Sequence, residues 1–462
     1  MPTFRIAILL VFTLCHGVPA AEPTWKAGTA ATIITPGKPM WMAGYGGRTK
    51  PAEGTFHPIW IKVLALEDAA GQRAIVLTSD TLGIPKSIYD HTCAALKQKF
   101  GLERAQIMLH ASHTHCGPVL RQSLYDAYPI GEKEIAQVNE YSTELEQKIV
   151  ATVGEALSKL APAKVSGGQG VTRFAVNRRN NLEPDVPKLI AQGALKGPVD
   201  HSVPVLAVQD LKGQLQAVVF GYACHNTTLS FYQWCGDYAG FAQAALERSH
   251  PGAQAMFYMG CGADQNPLPR REVYQAERYG QMLAAAVEET LLQPMTPFSP
   301  RLKTAFELVT LNLGPAPTKE ELEKMAAGKP SGTTRWASRL LAELNAGKSF
   351  IRTYPYPVQV WRLGDEQLWV TLGGEVVVDY SLRFKQAFGA RTWVAGYCND
   401  VMAYIPSARV LKEDVPPRAS TRWGYEGNTS MYVYGMPAHR WGEDVEDLIA
   451  ASVQRLVKQA TK

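Results

Sequence analysis

The chain contains no Cys-x-x-Cys pair, no cluster of lysines and arginines and, after its first two dozen residues, no apolar run of membrane-spanning length. The first absence excludes a finger-type thiolate zinc site, which needs closely spaced cysteines. The second leaves nucleic-acid binding without support, because a formal net charge of +5 is scattered over 462 residues of which only 19% are charged. The third excludes a polytopic membrane protein, since about 20 apolar residues are needed to cross the hydrocarbon layer. Internal repeats, low-complexity tracts and Pro/Ser-rich linkers are also missing, which favours one catalytic domain over residues 22–462.

The opening MPTFRIAILLVFTLCHGVPAAEPTW carries a basic Arg5, an apolar run from Ile6 to Cys15 and small residues at Val18, Ala20 and Ala21. That is the layout of a signal peptide over residues 1–21. Its apolar core is too short to anchor the chain, so the mature protein is expected in the periplasm or outside the cell, with no transmembrane anchor after cleavage. Cleavage leaves Cys93, Cys116, Cys224, Cys235, Cys261 and Cys398, either oxidised or as buried thiols; spacing does not choose between these.

From residue 26 to 310, apolar runs alternate with helical patterns, and the expected fold class is α/β, with mixed β-sheets flanked by helices. IKVLALEDAAGQRAIVLTSD reads as two strands around a turn, SIYDHTCAALKQKF as a helix and QIMLHAS as the next strand. Downstream, VPVLAVQD, LQAVVFGYACH and AMFYMG read as strands, YAGFAQAALERSH as a helix and VQVWRLGDEQLWVTLGGE as a hairpin turning at Gly364 and Asp365. Residues 315–350 are polar and helix-prone, a possible lid or insertion. DVEDLIAASVQRLVKQ is an amphipathic helix, with Val445, Leu448, Ile449, Val453, Leu456 and Val457 on one face.

The chemistry concentrates at strand ends, where α/β folds place their sites. HASHTHCGP holds three of the ten histidines. If the segment is extended, His113 and His115 present both rings on one face, ready for one metal or for a metal and a reacting group. His110 falls off that spacing and reads as structural support. His225, in GYACHNTTLS, ends another strand. Two histidines from different strands and one carboxylate make a catalytic zinc set with a position open for water. Glu375, in TLGGEVVV, is the best carboxylate, although a helix N-terminal glutamate would look the same.

The order of these pieces resembles that of the neutral ceramidases, secreted or membrane-associated zinc amidases that cleave the N-acyl bond of ceramide. HASHTHCGP is similar to their THTHSGP, AGTAATIITPGKPMWMAGYGGR to their opening strand and MxGYG loop, and NRR at Asn177–Arg179 to their NRSP. GYACHNTTL resembles their FAxHPT, GCGADQNP their GDxSPN, GGE their PGE, and GYCNDVMAYIPS with WGYEGNTSMYVYG their YVTT and YEGxSTLYGP segments. The likeness runs from about residue 26 to 460. It implies a neutral-ceramidase-like catalytic domain that binds Zn2+ through His113, His225, Glu375 and Tyr404. It further implies that His115 moves a proton or polarises the reacting carbonyl, that Tyr425 donates to the developing oxyanion and that Arg178 stands at the pocket mouth.

Two departures qualify the substrate. In GCGADQNP, Asp264 stands at the family's aspartate but Asn266 replaces its serine, and an amide cannot lose a proton near neutral pH. The expected nucleophile is therefore a zinc-bound water, with Asn266 orienting substrate. The family also continues into a C-terminal β-sandwich, which the chain is expected to lack. The leading expectation is an exported zinc hydrolase cleaving an N-acyl bond, as in ceramide. A hydrolase or lyase acting on a uronate or N-acyl sugar is the alternative, and a non-catalytic metal-binding surface protein a third.

Overall fold

The structure, a computed structural model, describes residues 24–414 and 424–461; the expected signal peptide lies outside them. The larger sheet runs, edge to edge, through Gln254–Met259, Leu215–Tyr222, Ser202–Asp210, Ala161–Val171, Trp25–Ile33, Trp60–Glu67, Arg73–Ser79 and Ile107–Ala111, with Thr296–Pro297 beside Ala161–Val171. Pairing is antiparallel except at the two edges, where Ile107–Ala111 runs parallel to Arg73–Ser79 and Gln254–Met259 parallel to Leu215–Tyr222. Parallel neighbours need a crossover, and the helices Lys86–Phe100 and Asp237–Ser249 supply one each.

Accumulated twist curls this sheet until its two edge strands touch. Residues 395–399 stitch the seam. Asn399 N–H donates to Leu109 O at 2.7 Å and Ala111 N–H to Tyr397 O at 3.3 Å on one edge, while Gly396 N–H donates to Met259 O at 3.1 Å on the other. The edges' unpaired backbone groups are thereby satisfied, and the ends of strands far apart in the sheet order become neighbours.

A second sheet, in the order Leu302–Asn312, Thr353–Leu363, Gln367–Leu372 and Trp393–Ala395, contains the expected hairpin. Its Trp361, Trp369 and Trp393 are fully buried and share a core with Met108, Met256 and Tyr258 of the curled sheet. The helix Val445–Thr461 covers its other side, burying Val445, Ile449, Val453 and Leu456 at helical spacing. A mixed α/β architecture is what the alternating pattern called for.

Residues 315–350 form the helices Lys319–Ala326 and Gly332–Asn345, the first started by a capping box in which Thr318 Oγ1 accepts from Glu321 N–H at 3.2 Å and Glu321 Oε2 from Thr318 N–H at 2.8 Å. Trp336 Nε1 donates to Met436 O at 2.8 Å, Arg339 Nη2 to Gly435 O at 2.9 Å and Arg335 Nη2 to Ala127 O at 2.8 Å. The pair thus braces the turn that carries Tyr434. All six described cysteines are buried free thiols, the second of the two states their positions allowed.

Candidate metal centre

Closure of the curled sheet gathers the proposed ligands. His113 and His115 follow the edge strand Ile107–Ala111, and His225 follows Leu215–Tyr222. Glu375 opens the two-residue strand Glu375–Val376, which pairs in parallel with Tyr404–Ile405 so that Glu375 and Tyr404 are direct partners. Gly374 makes this approach possible: its φ is +70°, and a Cβ there would sit 2.6 Å from the Ile405 side chain and 2.8 Å from Ala403 O.

The donor atoms converge. His113 Nδ1 donates to Leu82 O at 2.6 Å and His225 Nδ1 to Gly262 O at 2.7 Å; a carbonyl only accepts, so both rings turn a bare Nε2 lone pair inward. Glu375 Oε2 lies 3.1 Å from each of these nitrogens. Tyr404 Oη is 3.2 Å from His225 Nε2, and His115 Nε2 is 3.2 Å from His113 Nε2. The three imidazoles offer nitrogens within 4.8 Å of one another. A tetrahedral metal with arms of about 2.05 Å has ligand edges of about 3.3 Å, so this nitrogen and oxygen set fits a metal ion.

The charges agree with that fit. Burial works to raise the Glu375 carboxyl, yet the two histidines hold it well below the usual range. Burial, then Arg178, pushes His225 down to about 4, and burial, then His113 and His225, holds His115 well below its ordinary value. Both are therefore neutral imidazoles near pH 7, the form that binds metals. Glu375, 3% exposed, is a buried carboxylate whose neighbours are imidazole nitrogens and a phenol, a setting suited to a cation.

Two local expectations need correction. The His113–His115 segment is not extended, because His113 has φ +58° and the chain turns immediately after it. The rings meet because a left-handed residue, tolerated better by histidine than by most side chains, redirects the loop. Glu375 is not at a helix N-terminus; the helix Asp379–Phe388 begins four residues later. His110 supports the strand end as expected, with Nδ1 2.9 Å from Cys398 Sγ and its ring stacked on Trp369.

His115 differs from its neighbours in having a buried Nδ1 without a hydrogen-bond partner. Its ring is placed by packing: Gly44, at φ +112°, lies where a Cβ would come within 2.4 Å of it, and the Tyr45 ring packs against it at 4.7 Å. Arg48 Nη2 donates to His115 O at 2.7 Å.

The other expected residues form the outer wall. Tyr425 packs on Tyr404 at 5.1 Å between centroids, and burial, then Glu375, pushes its phenol up to about 12, so it remains a donor. Arg178 lies over both tyrosine rings, donates to Tyr404 Oη at 3.3 Å and pairs with Glu426 at 2.9 Å. Asn266 sits in the short strand Gln265–Pro267, and its Oδ1 accepts from Arg178 Nη1 at 3.4 Å. Asp264 is turned toward the scaffold. It accepts from Val378 N–H at 2.9 Å and Asn177 Nδ2 at 3.2 Å, while burial, then Asp379, pushes it up to about 7.

Four residues escaped the sequence reading. Tyr434 Oη donates to Glu375 Oε1, Tyr397 lies 4.4 Å from the His113 ring and donates to Glu375 Oε2 at 3.4 Å, and Tyr45 and Arg48 hold His115. The one available signal was the GYGGR stretch, a tyrosine bracketed by glycines in a loop.

A mixed α/β body whose curled sheet brings three histidines, a glutamate and a tyrosine together defines a protein with a buried candidate metal centre. Residues 26–286 match the family described as neutral/alkaline non-lysosomal ceramidase, N-terminal, and the chain belongs to that family. It is similar to the neutral ceramidase of Pseudomonas aeruginosa, 26% identical over 194 residues, which is 41% of this chain and 28% of that protein. Neutral ceramidase B of Dictyostelium discoideum is 23% identical over 218 residues, 45% of this chain and 29% of its own. Each match spans less than a third of the relative's length.

Among solved structures, the P. aeruginosa neutral ceramidase has the same fold, with TM-score 0.68 and 20% identity over 94% of this chain and 75% of that one. A ceramidase complexed with C2 gives TM-score 0.67 and 19% identity, with 94% and 76% covered.

Proposed function

We propose that this chain is an exported, zinc-dependent hydrolase that cleaves an N-acyl amide bond, with ceramide as the family-level substrate. The observation that carries the reading is the convergence of two carbonyl-locked imidazoles on Glu375 Oε2, 3.1 Å from each, with Tyr404 Oη alongside. A zinc ion held there would polarise the scissile carbonyl and activate a water, the nucleophile that Asn266 does not provide.

Each side chain then has a task. His113, His225, Glu375 and Tyr404 hold the ion, and Tyr434 and Tyr397 orient the Glu375 carboxylate. His115, a neutral imidazole whose Nε2 faces the centre, accepts the proton of the attacking water and returns it to the departing amine. Tyr425 donates its hydroxyl hydrogen to the oxyanion. Arg178, fixed by Glu426, keeps Tyr404 and Asn266 in register.

One feature favours the sugar-derived alternative: among the described residues, the aromatic, cationic and amide side chains of Tyr45, Arg178 and Asn266 lie close to His115 and Tyr425. The deciding experiment is product analysis of N-acylsphingosine, N-acyl amino acids and uronate or N-acyl-sugar oligomers, with zinc quantified and His113→Ala as control. Release of a free amine only by zinc-loaded wild type is expected. Cleavage confined to sugar substrates would favour the alternative, and no cleavage despite bound zinc would leave a metal-binding protein.

A further inference from the structure

Arg48, Arg178, Arg270 and Arg271 lie near Tyr45 or the outer wall, and the first three are committed within the protein. Arg178 pairs with Glu426, Arg270 pairs with Glu183 at 2.9 Å, and Arg48 is buried with its terminal nitrogens on Phe231 O and His115 O. Arg271 is different. It is exposed, and among the described residues the one carboxylate that feels its charge, Glu183, is already paired with Arg270. Its guanidinium lies over the Tyr45 ring, 5.3 Å from the centroid, and Tyr45 is the ring that packs against His115.

Its backbone is unusual as well. Arg271 has φ +116°, a region that side chains other than glycine rarely enter, and its N–H is tied to Thr228 O at 2.8 Å, in the loop that follows His225. Such a conformation costs of order 1–3 kcal/mol and persists where the surroundings enforce it. Apart from the guanidinium over Tyr45, the contacts described for Arg271 are made by its backbone, and a glycine would satisfy that backbone without strain. What the arginine adds is an exposed planar cation on the outer face of the ring that packs against His115.

We infer that Arg271 receives an anionic group on the amine-bearing half of the substrate, so that the preferred substrates are N-acyl amino acids rather than neutral ceramides. In a lipid amide the acyl half is a hydrocarbon chain, and the amine half is where a carboxylate is carried. A guanidinium binds a carboxylate through two parallel charge-assisted hydrogen bonds, whereas a neutral amino alcohol leaves it facing water. The inference rests on the amide hydrolysis proposed above.

The test compares N-dodecanoylglycine with its neutral isostere N-dodecanoylglycinamide, using zinc-loaded wild type, Arg271→Gln and Arg271→Gly. Wild type is expected to favour the acid by about tenfold in kcat/KM. Both variants should bring the ratio near one by losing activity on the acid only, and Arg271→Gly should melt at or above the wild-type temperature because it relieves the backbone. Equal wild-type kcat/KM for both amides, or an equal fall on both in the variants, would overturn the inference and leave the hydrolase intact. Calorimetric binding separates the remaining cases. Binding of the acid that weakens in Arg271→Gly, without turnover, would overturn the hydrolase reading and keep the anion site; neither binding nor turnover would overturn both.

Discussion

His113 and His225 each have one ring nitrogen tied to a backbone carbonyl, whereas His115, with its Nε2 only 3.2 Å from that of His113, has a buried Nδ1 tied to nothing. The first two cannot rotate without breaking a hydrogen bond and presenting the wrong nitrogen. The third is placed by packing against Gly44, Tyr45 and the other two imidazoles and by the Arg48 contact to its carbonyl, with no hydrogen bond on its far nitrogen. In the proposed reading, ligand hold and proton transfer fall to chemically identical side chains, distinguished by what the far nitrogen touches.

The largest effect should come from the holding wall, formed by His113, His225, Glu375 and Tyr404. Glu375→Gln removes its only carboxylate, and zinc content by elemental analysis should fall below a tenth per chain, with activity lost by about a thousandfold or more. Stoichiometric zinc in this variant would erase the distinction between the walls. His115→Gln should lower kcat by about 10^2 to 10^4 while zinc stays bound; loss of zinc would move His115 into the holding wall. Tyr425→Phe should cost about 10^2-fold in kcat with little change in KM, the mark of a donor used chiefly in the transition state.

How much of this division was legible beforehand depends on the range over which each residue is determined. His225 and His115 stand just past strands whose apolar runs are visible in the sequence, and Glu375 follows a glycine pair. The four expected ligands do lie together, although the sequence identified Tyr404 only by resemblance. The meeting of the edge strands was not readable, because it depends on accumulated twist and on the 395–399 stitch, which links residues nearly 300 positions apart. Nor was the left-handed turn at His113, since residue identity permits it without demanding it. Tyr434 was hidden for a similar reason: its contact with Glu375 is set by the brace of helices 319–345.

The smallest expected effect lies behind the holding wall. Asp400, 2% exposed, accepts from Tyr354 Oη at 2.7 Å, and burial pushes its carboxyl from 3.8 up to about 7. Between those values the folded chain keeps a proton that the unfolded chain has released. The stability this group contributes is therefore full below pH 4 and lost as pH rises through 7. Asp400→Asn should flatten that decline and exceed wild type by about 1–3 kcal/mol at pH 8, read from urea midpoints at pH 5 and 8. An unchanged pH slope would place the main acid-dependent term at the centre itself.

Glu375 and Tyr404 face each other across a parallel ladder only two residues long, fixed by Glu375 N–H to Ala403 O at 2.8 Å and Val377 N–H to Ile405 O at 3.2 Å. Their Cα separation is therefore that of adjacent strands, about 4.8 Å, whatever side chains they carry. The ladder works as a gauge block. Shortening one arm, as in Glu375→Asp, leaves a gap that the tyrosine cannot follow. For the engineer, the two short segments are a graftable unit: carried with Gly374 onto another curled sheet, they would deliver an oxygen pair at a preset width, leaving only the imidazoles to be designed.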